Sequence, residues 1–401
     1  MENSFSVGGW LQKDKNEPGS NAAVSEPRQL GCWTKTSVLE GGTVLYGDRS
    51  GLLPYQRPRT PSDLNHGYPH AFIRDPPTAT SGVERIIQGA LACRASLAHA
   101  GIVTFRNNLN KIAGTALNQS DPWVINAVFL AQAQLLPGST AGPMEDDTAE
   151  ASDTSVPGSR DARSSSNGGS SSGSGTLFLD IAKLEEKEYP NMDLYNYYGY
   201  KFESLCTGAA GVVDASSEFA ALLGLLLGRH RVMLAAEMDC HMDRDAGGGG
   251  GASGEWAGAG SGGVLQPSYV ELKTFVIPRH KAAEARLARN KYPKWWVQSY
   301  LAGVPTLVAG GRTTEGRLEE VRTIPVHQLP AMACAAGQPF DSLQVMRFCE
   351  AVLSWMTECG QAAEGMHLHF EYLPSAARIT CQGDPQGNLP RRVKHALHPS
   401  P

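Results

Sequence analysis

Several signals that define common protein classes are missing from this sequence. Its eight cysteines form no C-x-x-C pair, which argues against a zinc knuckle or a thioredoxin-like redox site. The opening segment MENSFSVGGWLQKDK has no apolar region and is no secretory signal, so reduced thiols in the cytosol or nucleus fit better. The longest apolar stretch, FAALLGLLLG from Phe219, is too short to span a bilayer. We expect a buried strand or helix there, and no membrane partner.

The sequence also has no excess of positive charge and no standard nucleotide or nucleophile motif. Its net charge is −5 and its pI about 6.1, so any binding of RNA or DNA must depend on a local basic cleft. No G-x-S-x-G, P-loop or dinucleotide-binding pattern occurs. With 401 residues, 41% of them hydrophobic, the chain can form one large domain or two ordinary ones.

Glycine and serine are abundant but concentrated in two segments. Residues 137–175 end in NGGSSSGSG, and residues 245–266 contain AGGGGGASGEWAGAGSGG. Both have too few large apolar residues to offset the entropy of ordering, so we expect two disordered inserts in a single domain at 31–375. We further expect a flexible N-terminus at 1–30 and an irregular tail at 376–401.

Apolar spacing predicts several helices. One begins near Arg106, directly after Phe105. A longer helix that contains KYPKWW should kink or split at Pro293. A third runs from Ser342, which we interpret as its N-cap, and ends before Gly360.

Two short segments carry charged residues at a spacing of two. VMLAAEMDC contains Glu237 and Asp239, and SYVELKTF contains Glu271 and Lys273. Residues i and i+2 of a strand share one face, so pairing of the two segments would gather three carboxylates and a lysine. Crowded carboxylates repel unless a cation or proton lies between them, and Mg²⁺ prefers such oxygen ligands. A metal beside a lysine suits cleavage of phosphodiester bonds.

Either motif alone is weak, because most such pairs lie on solvated faces or in surface ion pairs. Glu237 follows an apolar run, however, and Glu271 lies between Val270 and Leu272, which indicates burial of both acids. A buried charge needs a partner. Glu203 in YKFESL is a further acid beside an apolar residue, with a charge at a helix end as the ordinary alternative. His367 and His369 have strand spacing but no evident third ligand, so we interpret them as structural.

The segment KWWVQ places Gln298 one helical turn after Lys294. Its tryptophans, Trp295 and Trp296, fit a core better than a base-stacking platform. The preceding basic run is either a solvated helix face or a wall that binds phosphates.

Taken in order, these motifs resemble the DXO family of RNA decapping exoribonucleases. The matching segments are Phe105-Arg106-Asn107, Gly199-Tyr200-Lys201-Phe202-Glu203, Glu237-Met238-Asp239, Glu271-Leu272-Lys273 and KWWVQS with Gln298. The similarity extends from about Cys32 to Tyr372, interrupted by the two inserts. Met238 differs from the more usual valine or isoleucine, but the change removes no functional group.

The resemblance implies an α+β fold of two twisted mixed β-sheets flanked by helices, related to the D-(D/E)-x-K nucleases. It also implies two Mg²⁺ or Mn²⁺ ions and a set of catalytic residues, namely Glu237, Asp239, Glu271 and Lys273. The implied metal ligands are Glu203, Glu237, Asp239, Glu271 and the carbonyl of Leu272. The implied substrate-binding residues are Glu84, Phe105, Arg106, Asn107, Ala220, Glu237, Lys273 and Gln298.

The implied activity is quality control of RNA 5′ ends, capped, NAD-capped, triphosphorylated or monophosphorylated. Family members remove incomplete guanosine caps as a dinucleotide or NAD caps as whole NAD, and some remove pyrophosphate; many then degrade the RNA 5′ to 3′. The resemblance points to the nucleus, with the cytoplasm as the alternative. Two rival functions stay open. One is a DNA nuclease on the same fold, and the other is a non-catalytic partner that stabilises a large nuclear 5′→3′ exoribonuclease.

Overall fold

The computed structural model describes residues 4–16, 22–76, 82–135, 175–182, 184, 190–209, 211–242 and 268–399. The predicted insert at 245–266 lies outside these residues, as does the insert at 137–175 apart from Gly175. Within the described ranges, no helix has the length and apolar character needed to cross a membrane.

The helices and strands alternate irregularly along the chain. The helices are α1 Val7–Asn16, α2 Glu84–Ala92, α3 Arg106–Leu117, α4 Met192–Cys206, α5 Lys281–Leu301, α6 Leu329–Ala335, α7 Ser342–Ala362 and α8 Leu389–Leu397. The strands are β1 Ser4–Ser6, β2 Arg28–Lys35, β3 Val44–Tyr46, β4 Ser62–Asp63, β5 Phe72–Ile73, β6 Ile102–Phe105, β7 Trp123–Ala131, β8 Gly175–Ile181, β9 Val213–Asp214, β10 Glu218–Leu227, β11 His230–Glu237, β12 Cys240–Met242, β13 Ser268–Val276, β14 Thr306–Arg312, β15 Arg317–Pro325, β16 His367–Leu373 and β17 Arg378–Asp384.

Two mixed sheets organise the described residues. The larger has the order β1-β17-β16-β7-β8-β6-β11-β10-β2-β3, and the smaller has the order β12-β13-β14-β15-β4. Strands β11 and β6 run parallel in the first sheet, as β13 and β14 do in the second. Helices cover both sheets, so the predicted α+β class with two mixed sheets is confirmed.

The two charged motifs belong to different sheets. We expected the E-x-D and E-x-K segments to pair, but β11 pairs with β10 and β6, and β13 pairs with β12 and β14. The chain leaves the first sheet at Glu237 and enters the second at Cys240, so Asp239 lies in the connection. The short strand β12 pairs antiparallel with β13, which follows it in the chain after residues 243–267.

Helix packing explains where two features differ from the sequence prediction. Helix α5 is continuous through Pro293 and therefore does not split there, since burial of Trp295 and Trp296 just beyond it offsets the roughly 3 kcal/mol that an interior proline costs. These tryptophans belong to the core, as predicted. Helix α7 is capped by Asp341, whose Oδ1 accepts the Gln344 N–H at 2.9 Å, so Ser342 is not the N-cap.

Gly360 lies inside α7, although we expected the helix to end before it. A Cβ there would approach the Cβ of Phe129 on β7 to 2.9 Å. The glycine therefore permits close approach of helix and sheet. It does not terminate the helix.

Both chain ends are more ordered than predicted. Within the segment predicted as a flexible N-terminus, β1 pairs with β17, and Asp14 of α1 forms a buried ion pair with Arg347 at 2.7 Å. The tail predicted as irregular contains β17 and α8. Val393 of α8 is fully buried with Ile86 and Ile87 of α2 in one core cluster. Both predictions were wrong because these segments bury apolar side chains against distant parts of the chain.

Candidate active site

The acidic residues converge where the two sheets meet. Glu237 ends β11, Asp239 follows it, Glu271 lies in β13, and Glu203 lies in α4. One hydrogen bond fixes this junction: the backbone N–H of Leu272 donates to Asp239 Oδ2 at 2.6 Å. It attaches the connection after β11 to the strand that carries the E-x-K motif.

The position of Glu203 depends on how α4 packs against the smaller sheet. Phe202, its neighbour in α4, is fully buried with Leu272 and Val308 in one apolar cluster. Gly310 of β14 leaves the space for the Phe202 ring, because a Cβ there would lie 2.6 Å from ring atom Cε2. The small residue in the strand thus lets α4 approach closely and hold Glu203 beside the junction.

Glu271 is the centre of the polar network. Its side chain is only 1% exposed, and its oxygens accept hydrogen bonds from three different residues. Arg106 Nη1 lies 3.2 Å from Oε2, Gln298 Nε2 donates to Oε1 at 2.6 Å, and Lys273 Nζ also donates to Oε1. The contact with Lys273 confirms that these two residues share one face of β13.

The charges around the site affect its carboxyl groups in opposite directions. Burial alone would raise the pKa of Glu271, but Lys273 and then Arg106 outweigh it and hold the pKa below its usual value. Burial, followed by the nearby Asp239 and Glu237, raises the pKa of Glu203 well above its usual range. The junction therefore contains carboxyl groups that compete for too few cations.

Glu237 and Asp239 are shifted in the same direction as Glu203. Burial and then Glu218 and Asp239 raise the pKa of Glu237 to about 8. Burial and then Glu271 raise the pKa of Asp239 to about 6. The side chain of Glu237 nevertheless retains exposed surface at the cavity wall, where an ion or a substrate can reach it.

A cavity of about 340 Å³ opens beside these carboxylates. Glu203, Glu237 and Asp239 line it together with Tyr200 and Glu218. Sequence reasoning gave no role to Tyr200 or Glu218. Burial and then Glu237 raise the pKa of Tyr200 to about 12, so its hydroxyl stays protonated and can donate.

The sequence contains a pattern that could have placed Glu218 near the acidic residues. Gly228-Arg229 separates two apolar runs, a pattern typical of a hairpin, and β10 and β11 do pair antiparallel. Their register sets Ala220 opposite Glu237, so Glu218 lies two residues further along the same face. Hairpin register would therefore have placed it near the acids.

The carboxylates of the junction are the type of oxygen ligand that a hard divalent cation prefers. In the part of the chain that the structure describes, no three acidic, histidine or cysteine side chains are already gathered around one point. Carboxylates with raised pKa values nevertheless surround the junction. A cation that entered would relieve their repulsion.

The Leu272 carbonyl can join this set. The Leu272 N–H points toward Asp239, and the N–H and C=O of one strand residue face the same side. The carbonyl is therefore directed toward the acidic junction. The predicted ligand positions are therefore compatible with a bound metal.

The remaining predicted residues fall in three places. Phe105 ends β6 directly before Arg106, and Asn107 is exposed in the first turn of α3. Glu84 does not line the acidic cavity and instead pairs with Arg392 of α8. His367 and His369 lie on β16, where His369 Nδ1 is 3.0 Å from Asn126 Oδ1.

The fold and site together define a class, the nucleases with an acidic E-x-D and E-x-K pair at a sheet junction. Comparisons with known proteins refine this class. The sequence model of the RAI1 like PD-(D/E)XK nuclease family matches residues 25–390. The chain therefore belongs to the RAI1-like PD-(D/E)XK nuclease family, which confirms the resemblance seen in its motifs.

Relatives of known name agree with this assignment. The decapping nuclease din1 of Schizosaccharomyces pombe is 24% identical over 367 residues, which cover 85% of this chain and 89% of that protein. The decapping and exoribonuclease protein of Bos taurus is 25% identical over 350 residues, covering 82% and 74%. A Candida albicans Rai1 crystal structure in complex with pU5-Mn²⁺ has the same fold, with a TM-score of 0.68, 18% identity and 95% of each chain covered.

Proposed function

We propose that this chain is a divalent-metal-dependent hydrolase of RNA 5′ ends. Its substrates would be RNAs with incomplete guanosine caps, NAD caps or triphosphate ends, and 5′→3′ degradation of the RNA would follow. The observation that carries the proposal is the meeting of Arg106, Lys273 and Gln298 on the buried carboxylate of Glu271. These groups come from a helix, a strand and a second helix, an arrangement that packing alone does not require.

The metal would be Mg²⁺ or Mn²⁺, held by carboxylates of the junction and the Leu272 carbonyl, with two ions in our proposal. A bound divalent cation supplies an activated water and stabilises the leaving oxygen. The protein ligands would be Glu203, Glu237, Asp239 and Glu271. The Mn²⁺ in the Candida albicans Rai1 complex supports this choice of ion.

The cationic and amide groups of this chain would act on the phosphate itself. Lys273 and Arg106 would offset negative charge that builds up at the scissile phosphate, and Gln298 would orient it. Their hydrogen bonds to Glu271 hold them in place before substrate arrives. Preorganisation of this kind lowers the barrier because the donors need not reorient during the reaction.

The cavity beside the acids would take the 5′-terminal group. Ala220 lies opposite Glu237 in the β10–β11 register, and its small side chain leaves room at the wall. The decapping activity in the names of the Schizosaccharomyces pombe and Bos taurus relatives supports RNA 5′ ends as substrate. We also propose that the protein acts in the nucleus.

The decisive experiment uses Asp239→Asn. Asparagine keeps a side-chain oxygen that can accept the Leu272 N–H, so the junction should fold, while the charge that attracts the cation is lost. We expect hydrolysis to fall by about a thousandfold, as when a transition-state interaction is removed. Glu319→Gln, at an exposed position of β15 that does not line this cavity, is the control for loss of one negative charge and should keep activity within about twofold, the range of a near-neutral surface substitution.

The substrates should be RNAs labelled at the 5′ end and bearing an NAD cap, an unmethylated cap or a monophosphate, with matched DNA. Loss of hydrolysis in Asp239→Asn alone supports the site, and full activity in that variant contradicts it. Equal cutting of DNA would favour the DNA nuclease. Binding to a nuclear 5′→3′ exoribonuclease without any metal-dependent turnover would favour the non-catalytic partner.

A further inference from the structure

The last turns of α7 pack on the larger sheet near its β17 end. Trp355 and Cys359 are four positions apart in α7 and therefore share one helix face. The Trp355 ring packs edge-on against Phe370 of β16, with the ring centroids 5.5 Å apart. Phe370 is paired directly with Cys381 of β17, so their side chains lie on the same face of the sheet. The helix face that carries Cys359 thus lies against the pair of strands that carries Cys381.

The two thiols are in direct contact. Cys359 and Cys381 belong to the same core cluster, and the Cys359 thiol donates a hydrogen bond to the sulfur of Cys381. This hydrogen bond lowers the pKa of Cys381 although burial opposes it, and the same bond, followed by burial, raises the pKa of Cys359. The contact therefore joins a thiol that ionises more readily to one that keeps its proton, and the thiolate is the nucleophilic form of cysteine.

The thiol pair lies close to the protein surface. Cys359 is 8% exposed and Cys381 is 9% exposed. Strand β1 pairs with β17 from Arg378 to Thr380, and the side of β17 beyond Cys381 is exposed at Gln382. A molecule as small as hydrogen peroxide can therefore reach the sulfur atoms from this end of the strand.

Two other cysteines show what a protected thiol looks like in this fold. Cys206 and Cys240 are fully buried beside the acidic junction, and burial is the main cause that strongly raises the pKa of each. Both should stay reduced while the protein is folded. They provide an internal control for any oxidation at the end of α7.

We propose that Cys359 and Cys381 form a site of reversible oxidation, at which a peroxide converts the two thiols into a disulfide that joins α7 to β17. The inference goes beyond the proposed function, because the acidic junction takes no part in it. Disulfides of cytosolic and nuclear proteins are usually transient and redox-sensing, which fits a bond that forms on demand.

The chemistry has two steps. The Cys381 thiolate attacks one oxygen of hydrogen peroxide, the O–O bond breaks, and the departing hydroxide takes up the proton that Cys381 released, which gives a sulfenic acid and water. The Cys359 sulfur then attacks the Cys381 sulfur, the S–O bond breaks, and hydroxide leaves with the Cys359 proton as a second water. The peroxide gains the two electrons that the thiols lose, and an added dithiol reverses the reaction.

The disulfide should stabilise the fold. It would close a loop that contains β16 and the turns on either side of it, and a cross-link of this kind restricts the unfolded chain. We expect the Tm of the oxidised protein to rise by about 5 °C, and dithiothreitol should reverse the rise.

Peptide mapping of the full chain tests the site. The folded protein is treated with hydrogen peroxide, its remaining thiols are alkylated, and the unreduced digest is analysed by mass spectrometry. We expect a peptide pair cross-linked through Cys359 and Cys381 that disappears after dithiothreitol. Cys206 and Cys240 should be alkylated only after denaturation, which shows that the fold stayed intact during oxidation.

Serine variants check the order of the two steps. Cys359→Ser should stop at the sulfenic acid of Cys381, which dimedone captures, and should lose the rise in Tm. Cys334→Ser, at an exposed position of α6, is the control and should give the same cross-link and the same rise as wild type.

Alkylation of both Cys359 and Cys381 in the treated wild type, or a disulfide from either of them to another cysteine, would overturn the proposal. The wild-type map decides the matter even if a variant does not fold. Because no step uses RNA hydrolysis, failure of the proposed function would leave this result unaffected.

Discussion

Arg106 Nη1 lies 3.2 Å from Glu271 Oε2 in a buried ion pair that joins residues 165 positions apart in the chain. The contact connects the first turn of α3, against the larger sheet, to β13 of the smaller sheet. It therefore stabilises the junction between the sheets and, after the larger effect of Lys273, helps to hold the pKa of Glu271 below its usual value. A carboxylate has about four lone-pair sites, so these contacts still leave room for a cation.

The first prediction concerns this ion pair. Arg106→Met keeps much of the side-chain length but leaves Glu271 with only Lys273 and Gln298. Removal of one partner of a buried pair typically costs about 3–5 kcal/mol. Because two donors remain, we expect a loss of about 2 kcal/mol in the free energy of unfolding and a kcat about a hundredfold lower. Urea denaturation and 5′-end hydrolysis measure the two effects.

Arg74→Met is the matched control for the ion pair. Arg74 pairs with Asp193 at 2.6 Å, but both side chains are about half exposed, so this pair should contribute less than about 1 kcal/mol. Equal losses in the two variants would show that the Arg106 contact has no special part in the junction.

The sequence predicted the parts of the site that depend on local geometry. Glu271 and Lys273 share a strand face because their spacing is two, and Arg106 begins a helix directly after a strand. The meeting of β11 and β13 could not be derived in this way. Whether a strand continues or crosses to another sheet depends on contacts between distant segments, and here the crossing occurs within the two residues between Glu237 and Cys240.

The errors at the chain ends have a similar physical origin. Leu389, Val393 and Ala396 follow a helical spacing in α8, but a segment of nine residues between polar stretches gives a weak signal alone. Its stability comes from α2, about 300 positions earlier in the chain. The prediction for Gly360 was wrong for a related reason. The glycine is needed for close approach of α7 to Phe129 and does not end the helix.

The second prediction concerns the pH dependence of the metal-free protein. The folded state raises the pKa of Glu237 to about 8, so between its usual pKa and 8 the folded chain keeps a proton that the unfolded chain has lost. Stability from this group therefore falls as pH rises through that window. With a chelator present, Glu237→Gln should raise the Tm at pH 8.5 more than at pH 5, with a difference of about 2 °C between the two shifts.

Calorimetry at the two pH values measures the effect of Glu237→Gln. Glu40→Gln removes an equivalent charge at the exposed part of the cavity wall and controls for net charge. The same Tm shift at both pH values for Glu237→Gln would contradict the prediction. Divalent cation should reduce the difference, because it offers the ionised carboxylate a partner.

The third prediction tests how α4 positions Glu203. In Gly310→Ala the new Cβ would lie 2.6 Å from the Phe202 ring, closer than real Cβ contacts. Phe202 is fully buried, so the ring and the adjacent Glu203 must shift. We expect a loss of about 1–3 kcal/mol in stability and a clear decrease in Mn²⁺ affinity, measured by denaturation and titration calorimetry.

Gly199→Ala is the control for that substitution. Gly199 lies in α4 itself, and a Cβ there meets no atom within 4 Å, so alanine should stabilise the helix by about 0.5–1 kcal/mol. Mn²⁺ affinity should not change. If Gly310→Ala and Gly199→Ala behave alike, packing of Phe202 on β14 does not position Glu203.

The last prediction separates two roles for Glu84, a contact with the RNA 5′ end or a structural partner of Arg392. Arg392 Nη2 donates to Glu84 Oε2 at 2.6 Å, and its Nη1 donates to Asp180 Oδ2 at 3.0 Å. Asp180 is buried, so Arg392→Leu would leave two neighbouring carboxylates without their shared cation. We expect a loss of about 3 kcal/mol in the free energy of unfolding.

A double-mutant cycle on Glu84→Gln and Arg392→Leu then distinguishes the two roles. A structural partnership predicts a coupling energy of about 1–3 kcal/mol between the substitutions and an unchanged kcat/KM per folded molecule in Glu84→Gln. Contact with the 5′ end predicts the reverse, a lower kcat/KM with little change in stability. Since Glu84 is bound by Arg392 and does not line the acidic cavity, we expect the first result.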